Sequence, residues 1–156
     1  MMFKRSHRPE VFSPVDGTYV KQENINDSTY STDVMGIGCG IYPDNNVISS
    51  PIDGEVIMVF PTGHAVGIKR KDGLEILIHV GIDTVNLRGD GFTTLVKQGE
   101  KVKEGDELVR FNKEKILNNG LDPTVIMIFT NSKTFNITMC NKNDKITVRD
   151  VISYVK

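Results

Sequence analysis

Short apolar runs broken by glycine turns set the pattern of this chain. Val56-Ile57-Met58-Val59-Phe60 and Ile76-Leu77-Ile78 are continuous runs of strand length. Phe135, Ile137 and Met139 instead alternate with polar residues, the period of a half-buried strand. Residues Val11 to Val20 read as a turn and a strand, with Asp16-Gly17 at the turn because glycine accepts positive φ and aspartate bonds its own backbone. The polar stretch Lys21 to Asp33 offers little to bury and reads as a loop or irregular edge. Val96 to Phe111 reads as a corner and a strand, and Thr124 to Thr130, Thr134 to Cys140 and Lys145 to Val148 as three more strands. Val151 to Val155 is expected to add an edge strand. A single short helix is expected over Lys113 to Asn118, capped by Asn112 and ended by Gly120, with Pro123 beyond.

One unit occurs twice. Ser13-Pro14-Val15-Asp16-Gly17 is echoed by Ser50-Pro51-Ile52-Asp53-Gly54, which points to two related halves. Many short strands, frequent turns and one helix predict an all-β fold, an antiparallel β-sandwich or flattened barrel. Residues 11–156 are read as one domain and residues 1–10 as a flexible N-terminal tail.

The candidate chemistry lies in a hairpin. Ala65-Val66-Gly67-Ile68-Lys69 and Leu74 to Ile78 flank a tight turn at Lys71-Asp72-Gly73. His64 stands just before the first strand and His79 at the end of the second. Antiparallel partners sit only ~5 Å apart, so the two imidazoles should meet.

Paired imidazoles suit a metal site, acid–base catalysis or phosphoryl carriage. A catalytic zinc takes three protein ligands. Here the third histidine, His7, falls in the tail, and Asp83 competes with the turn it begins. No metal is therefore expected, beyond an adventitious or partner-completed zinc on His64 and His79. Nucleophilic attack needs a neutral ring whose other nitrogen holds the proton. A backbone carbonyl can fix that tautomer, and Gly81 lets the chain turn back towards the ring. The hydroxyl of Thr62 is placed to bond His64, although a hydroxyl there can equally serve a turn. Asp83 can likewise simply cap a turn. Phe60, Leu77, Ile78 and Val80 would exclude water from a labile N–P bond as well as pack a core.

Other classes are disfavoured. Gly36, Gly38 and Gly40 alternate, but Pro43 and an Asp44-Asn45-Asn46 turn follow where a dinucleotide-binding helix would start. These glycines are read as allowing close strand packing. Neither copy of the repeated unit carries the turn-tip lysine of biotin or lipoyl carriers. A formal net charge of −1 gives no reason for a nucleic-acid partner. The apolar runs are too short to span a bilayer, and no apolar segment follows Lys4, Arg5 and Arg8 to make a signal peptide. Two distant cysteines, Cys39 and Cys140, fit free thiols in a reducing cytoplasm.

The string His79-Val80-Gly81-Ile82-Asp83-Thr84, with apolar residues before it, resembles the phosphorylation-site motif of the glucose-type enzyme IIA domain of the bacterial sugar phosphotransferase system. Thr62-Gly63-His64-Ala65 resembles that family's second histidine segment, and Ser50 to Gly54 and Lys101 to Asp106 also match. The likeness implies a β-sandwich with a shallow apolar cleft. It implies that His79 takes phosphate from the phosphocarrier protein HPr and passes it to a cysteine of a transporter's IIB domain. His64, held by Thr62, would stabilise the phosphoryl group, and Asp83 at the rim would meet a partner's arginine. No cofactor is implied. Sugar specificity would lie in the membrane component, and the start at Met1 favours a free-standing protein.

Two positions depart from the family. Ile37 stands where an acidic residue is common, which removes a rim charge, and Arg149 stands where a turn glycine is typical. The first departure supports a rival reading, a regulatory module that docks partners in the same cleft. A zinc-dependent hydrolase is the rival enzyme, but it needs a further His-x-His pair that Ile78-His79-Val80-Gly81 lacks.

Overall fold

The structure is a computed structural model that describes residues 8–140, 142 and 144–156. Its strands are β1 (Glu10–Phe12), β2 (Gly17–Lys21), β3 (Ile37–Pro43), β4 (Val47–Ser49), β5 (Gly54–Val59), β6 (Ala65–Lys69) and β7 (Glu75–Val80). They continue with β8 (Phe92–Thr94), β9 (Lys101–Val102), β10 (Glu107–Phe111), β11 (Val125–Phe129), β12 (Ile137–Met139), β13 (Lys145–Ile146) and β14 (Val151–Val155). The helix α1 (Lys113–Asn118) starts where expected, with the Asn112 side chain accepting from the Lys115 N–H.

All strand pairs are antiparallel, and the fold is the expected β-sandwich. A large sheet runs β13-β2-β3-β11-β7-β6-β5-β9. Two small sheets, β1-β14-β12 and β4-β10-β8, lie against one of its faces. The shared core draws Ile41, Val66, Ile76, Ile78, Val125 and Met127 from the large sheet, Val11 and Ile152 from one small sheet, and Ile48 and Leu108 from the other. Strand β11 is buried at every residue, which explains its unbroken Val-Ile-Met-Ile-Phe run.

The repeated unit is structural. Ser13 Oγ donates to the Val15 carbonyl and Ser50 Oγ to the Ile52 carbonyl, both at 2.7 Å. Asp16 accepts from the Val148 N–H and Asp53 from the Glu104 N–H, both at 2.8 Å. Each unit feeds a strand whose outer neighbour is a two-residue strand, β13 on β2 and β9 on β5. The likeness extends to the turns that follow these short strands. Asp106 Oδ2 accepts from Lys103 N, and Asp150 Oδ2 from Thr147 N. Gly105 has φ +90° in the first turn, whereas Arg149 in the second does not enter the positive-φ region, so an arginine is accommodated there.

Three expectations change. Strand β14 is central in its sheet, between β1 and β12, and not an edge. The stretch after β2 does bury side chains: Ile25 is 4% exposed and packs with Ile82, Ile126 and Ile128 on the outer face of the large sheet. Gly40 makes room for it, since a Cβ there would lie 3.3 Å from Ile25 and 3.0 Å from Thr124. Of the expected tail, residues 1–7, His7 included, lie outside the described residues, and Glu10 already pairs with Tyr154 in β1.

Candidate functional site

The β6–β7 hairpin brings the histidines together. Its register pairs Lys69 with Glu75 and Ala65 with His79, so the turn centres on Asp72. His64 follows as the last residue before β6, and its carbonyl accepts from the Val80 N–H at 2.7 Å. The two imidazole centroids are 4.9 Å apart, with the ring planes at 75°.

Each ring is oriented through Nδ1. His79 Nδ1 lies 2.7 Å from the Gly81 carbonyl oxygen, which can only accept, so Nδ1 carries the proton and Nε2 keeps its lone pair. Gly81 holds φ +81°, and a Cβ there would lie 2.4 Å from Thr84 Cγ2, so the path that aims this carbonyl requires glycine. Thr84 is itself fixed by donating its hydroxyl to the Val80 carbonyl. His64 Nδ1 is hydrogen-bonded to the Thr62 hydroxyl. With the hydroxyl as donor, the proton of the neutral His64 ring is on Nε2.

Burial sets the charge of both rings. His64 is 2% exposed, and desolvation, reinforced by the nearby His79, pushes its pKa down to about 4. His79 is also lowered, mainly by burial. Its bond to Gly81 and the charges of Asp27 and Asp83 act in the opposite direction. The site therefore holds two neutral rings at neutral pH, the state a nucleophilic nitrogen needs.

Aromatic rings flank the pair. Phe60 meets His64 edge-on at 5.1 Å, and Tyr30 lies tilted against His79 at 5.5 Å. Along the sheet, His79 is registered with Ile126 of β11, and Ile126 with Gly40 of β3. This row lies on the outer face of the large sheet, where Ile25, Ile82, Ile126 and Ile128 form an apolar cluster. Of the expected site residues, Thr62, His64 and His79 come together directly. Asp83 is exposed at the start of a 3₁₀ turn over Thr84–Leu87, makes no capping hydrogen bond with its side chain, and acts on His79 through its charge. Ile37 alternates with Gly38 and Gly40, so it lies on the face of Cys39 and Ile41 and not on that of His79.

Sequence reasoning missed Tyr30 and Asp27. Both sit in the polar stretch after β2, where no periodicity marks them. Among the described residues no set of three or more histidine, cysteine, aspartate or glutamate side chains is grouped to hold a metal ion. No helix among them is long and apolar enough to cross a membrane.

The fold is thus a β-sandwich that holds two neutral imidazoles face to edge. A family model described as phosphoenolpyruvate-dependent sugar phosphotransferase system, EIIA 1, matches residues 9–135, and the chain belongs to that family. It is similar to the glucose-specific EIIA component of the phosphotransferase system from Staphylococcus epidermidis, with 43% identity over 94% of this chain and 84% of the relative. The corresponding Staphylococcus aureus component is 48% identical over 78% of this chain and 74% of its own length. The solved glucose permease IIA from Mycoplasma capricolum is 32% identical, covers 98% of each chain and superposes with a TM-score of 0.84. The chain is thus a phosphoryl-carrying EIIA component.

Proposed function

We propose that His79 is the phosphoryl acceptor, taking the group from phospho-HPr and giving it to a cysteine of a transporter's IIB domain. The observation that carries this reading is the hydrogen bond from His79 Nδ1 to the Gly81 carbonyl, which leaves Nε2 as the nucleophile. Nε2 attacks phosphorus in line, a new N–P bond forms, and the donor's N–P bond breaks with its electron pair returning to the donor nitrogen. In the second transfer a cysteine thiolate attacks, and the N–P pair returns to Nε2. Positioning and charge neutralisation supply most of the catalysis. His64, aligned by Thr62, donates Nε2–H to a phosphoryl oxygen. Asp83 at the rim meets a cationic side chain of the partner.

The reaction takes place in the cytoplasm against a membrane transporter. The names of the relatives make glucose the first sugar to test. Incubation with phosphoenolpyruvate, enzyme I and HPr, followed by mass measurement, should add one phosphoryl group to the wild-type chain and none to His79→Ala. Acid-labile phosphate on the His79→Ala variant would refute the assignment.

A further inference from the structure

The connection over residues 22–36 has no strand of its own, yet it seats Tyr30 against the His79 ring. Its apolar anchor is Ile25, with Tyr30 and Val20 packed on the same outer cluster. Its polar anchor is a single side chain. Gln22 Nε2 lies 3.1 Å from the Tyr30 carbonyl, 3.0 Å from that of Thr32 and 2.9 Å from that of Gly36. Gln22 Oε1 accepts from the Gly38 N–H at 3.1 Å. A primary amide has two hydrogens, so three carbonyls share them in a bifurcated arrangement. All four partners are main-chain groups of the loop or of the strand it enters. The β2–β3 ladder closes the base of the loop at Lys21 and Cys39, and the backbone bonds within it span four residues or fewer. The Gln22 amide ties its start to residues 30–36, and the carbonyl of the residue facing His79 is among its partners.

We propose that Gln22 is a positioning residue for the histidine site: it clamps the loop so that Tyr30 stays on the His79 ring and slows the access of water to the phosphorylated nitrogen. This rests on His79 being the acceptor. A seated ring displaces solvent from one side of the imidazole, and an N–P bond in contact with less water hydrolyses more slowly.

The test uses the full chain in two measurements. The first is the decay of phosphate on His79 after the donors are removed, followed by mass. Tyr30→Ala should speed the decay about fivefold, the scale of one aromatic contact. Gln22→Ala should do the same, and the double variant should be no faster than Tyr30→Ala, because the two act as one device. Gln22→Glu should match Gln22→Ala, since a carboxylate keeps an acceptor for Gly38 but turns oxygen towards three carbonyls.

The second measurement is the NMR shift of the His79 ring protons in the unphosphorylated chain, which the Tyr30 ring current moves. Gln22→Ala and Tyr30→Ala should displace it in the same direction, while His64, seated on Phe60, keeps its shift. This arm still reads the clamp if the wild-type chain carries no phosphate on His79, a result that would sink the acceptor assignment alone. The clamp is overturned if Gln22→Ala lowers the melting temperature but leaves decay and ring shift at wild-type values. It is equally overturned if the two substitutions multiply in the double variant. Should Gln22→Ala fail to fold, Tyr30→Ala decides: an unchanged lifetime ends the proposal.

Discussion

Two connections roof the histidine site, and they are built in opposite ways. The one over residues 60–64, between β5 and β6, is short and closed by its own backbone. Phe60 N donates to the Ala65 carbonyl at 3.0 Å, and Gly63 N to the Phe60 carbonyl at 2.8 Å. It delivers Phe60 to His64. The connection over residues 22–36, between β2 and β3, is long, is cross-tied by the Gln22 side chain, and delivers Tyr30 to His79. Each half of the duplicated sheet thus places one aromatic ring on one imidazole. The tight turn suits the buried helper, whose job is fixed geometry. The long loop covers the partly exposed ring, which on the proposed function meets successive partners, and there some freedom to yield has a use.

Beyond loss of the acceptor itself, the largest expected effect falls on the tight side. His64→Gln should still accept phosphate on His79 but pass it on about 10²-fold more slowly, the scale of one oriented donor at a transferring group. Normal onward transfer in a stopped-flow relay would remove the role given to His64. Thr62→Val keeps the shape and deletes the hydroxyl. Onward transfer should fall roughly tenfold, in line with one lost hydrogen bond to a buried group; a rate as low as that of His64→Gln would mean that the ring itself had moved.

The pH response sharpens the contrast. His64 titrates near 4 in the folded chain and near 6.5 when unfolded. Between those values the unfolded chain takes up a proton that the folded one refuses. The stability present above pH 6.5 is therefore lost as pH falls through this window, and the loss levels off below about 4. His79 is shifted in the same direction and adds to the slope. Denaturant midpoints at neutral pH and at about pH 5 should differ less in His64→Gln than in wild type, because this variant lacks the strongly shifted group. An unaltered difference would place the acid sensitivity elsewhere. The smallest effect tests the duplication: Ser13→Ala and Ser50→Ala should each cost about 1 kcal/mol, since each leaves one buried carbonyl without its hydroxyl. Clearly unequal costs in urea melts would show that the two units have diverged energetically.

Much of the site was legible because it is local. A turn signal at Asp72-Gly73 and two flanking apolar runs fix the strand register, and register alone places His79 beside His64. The repeated Ser-Pro-x-Asp-Gly unit was legible as a string, and the structure gives both copies the serine-to-carbonyl and amide-to-aspartate bonds. The loop over residues 22–36 was not legible. Its polar composition hides Ile25 and Tyr30, whose partners lie on β7 and β11, far along the chain, and local pattern carries no record of them. The central place of β14 was missed for the same reason: a strand's own residues do not say how many neighbours it has. Asp83 was read as a turn cap or a rim charge; its side chain makes no capping bond to the 3₁₀ turn it precedes.

The oxygen that fixes the tautomer of His79 belongs to the main chain at residue 81. Replacing a neighbouring side chain does not delete it, as it could delete a carboxylate or an amide in the same post. Its vulnerability is confined to the course of the polypeptide itself, where even one added methyl group would press against Thr84. On the reading proposed above, the choice of nucleophilic nitrogen is in this sense written into the fold's trace, and side-chain drift around the two rings can retune partners without changing which nitrogen attacks.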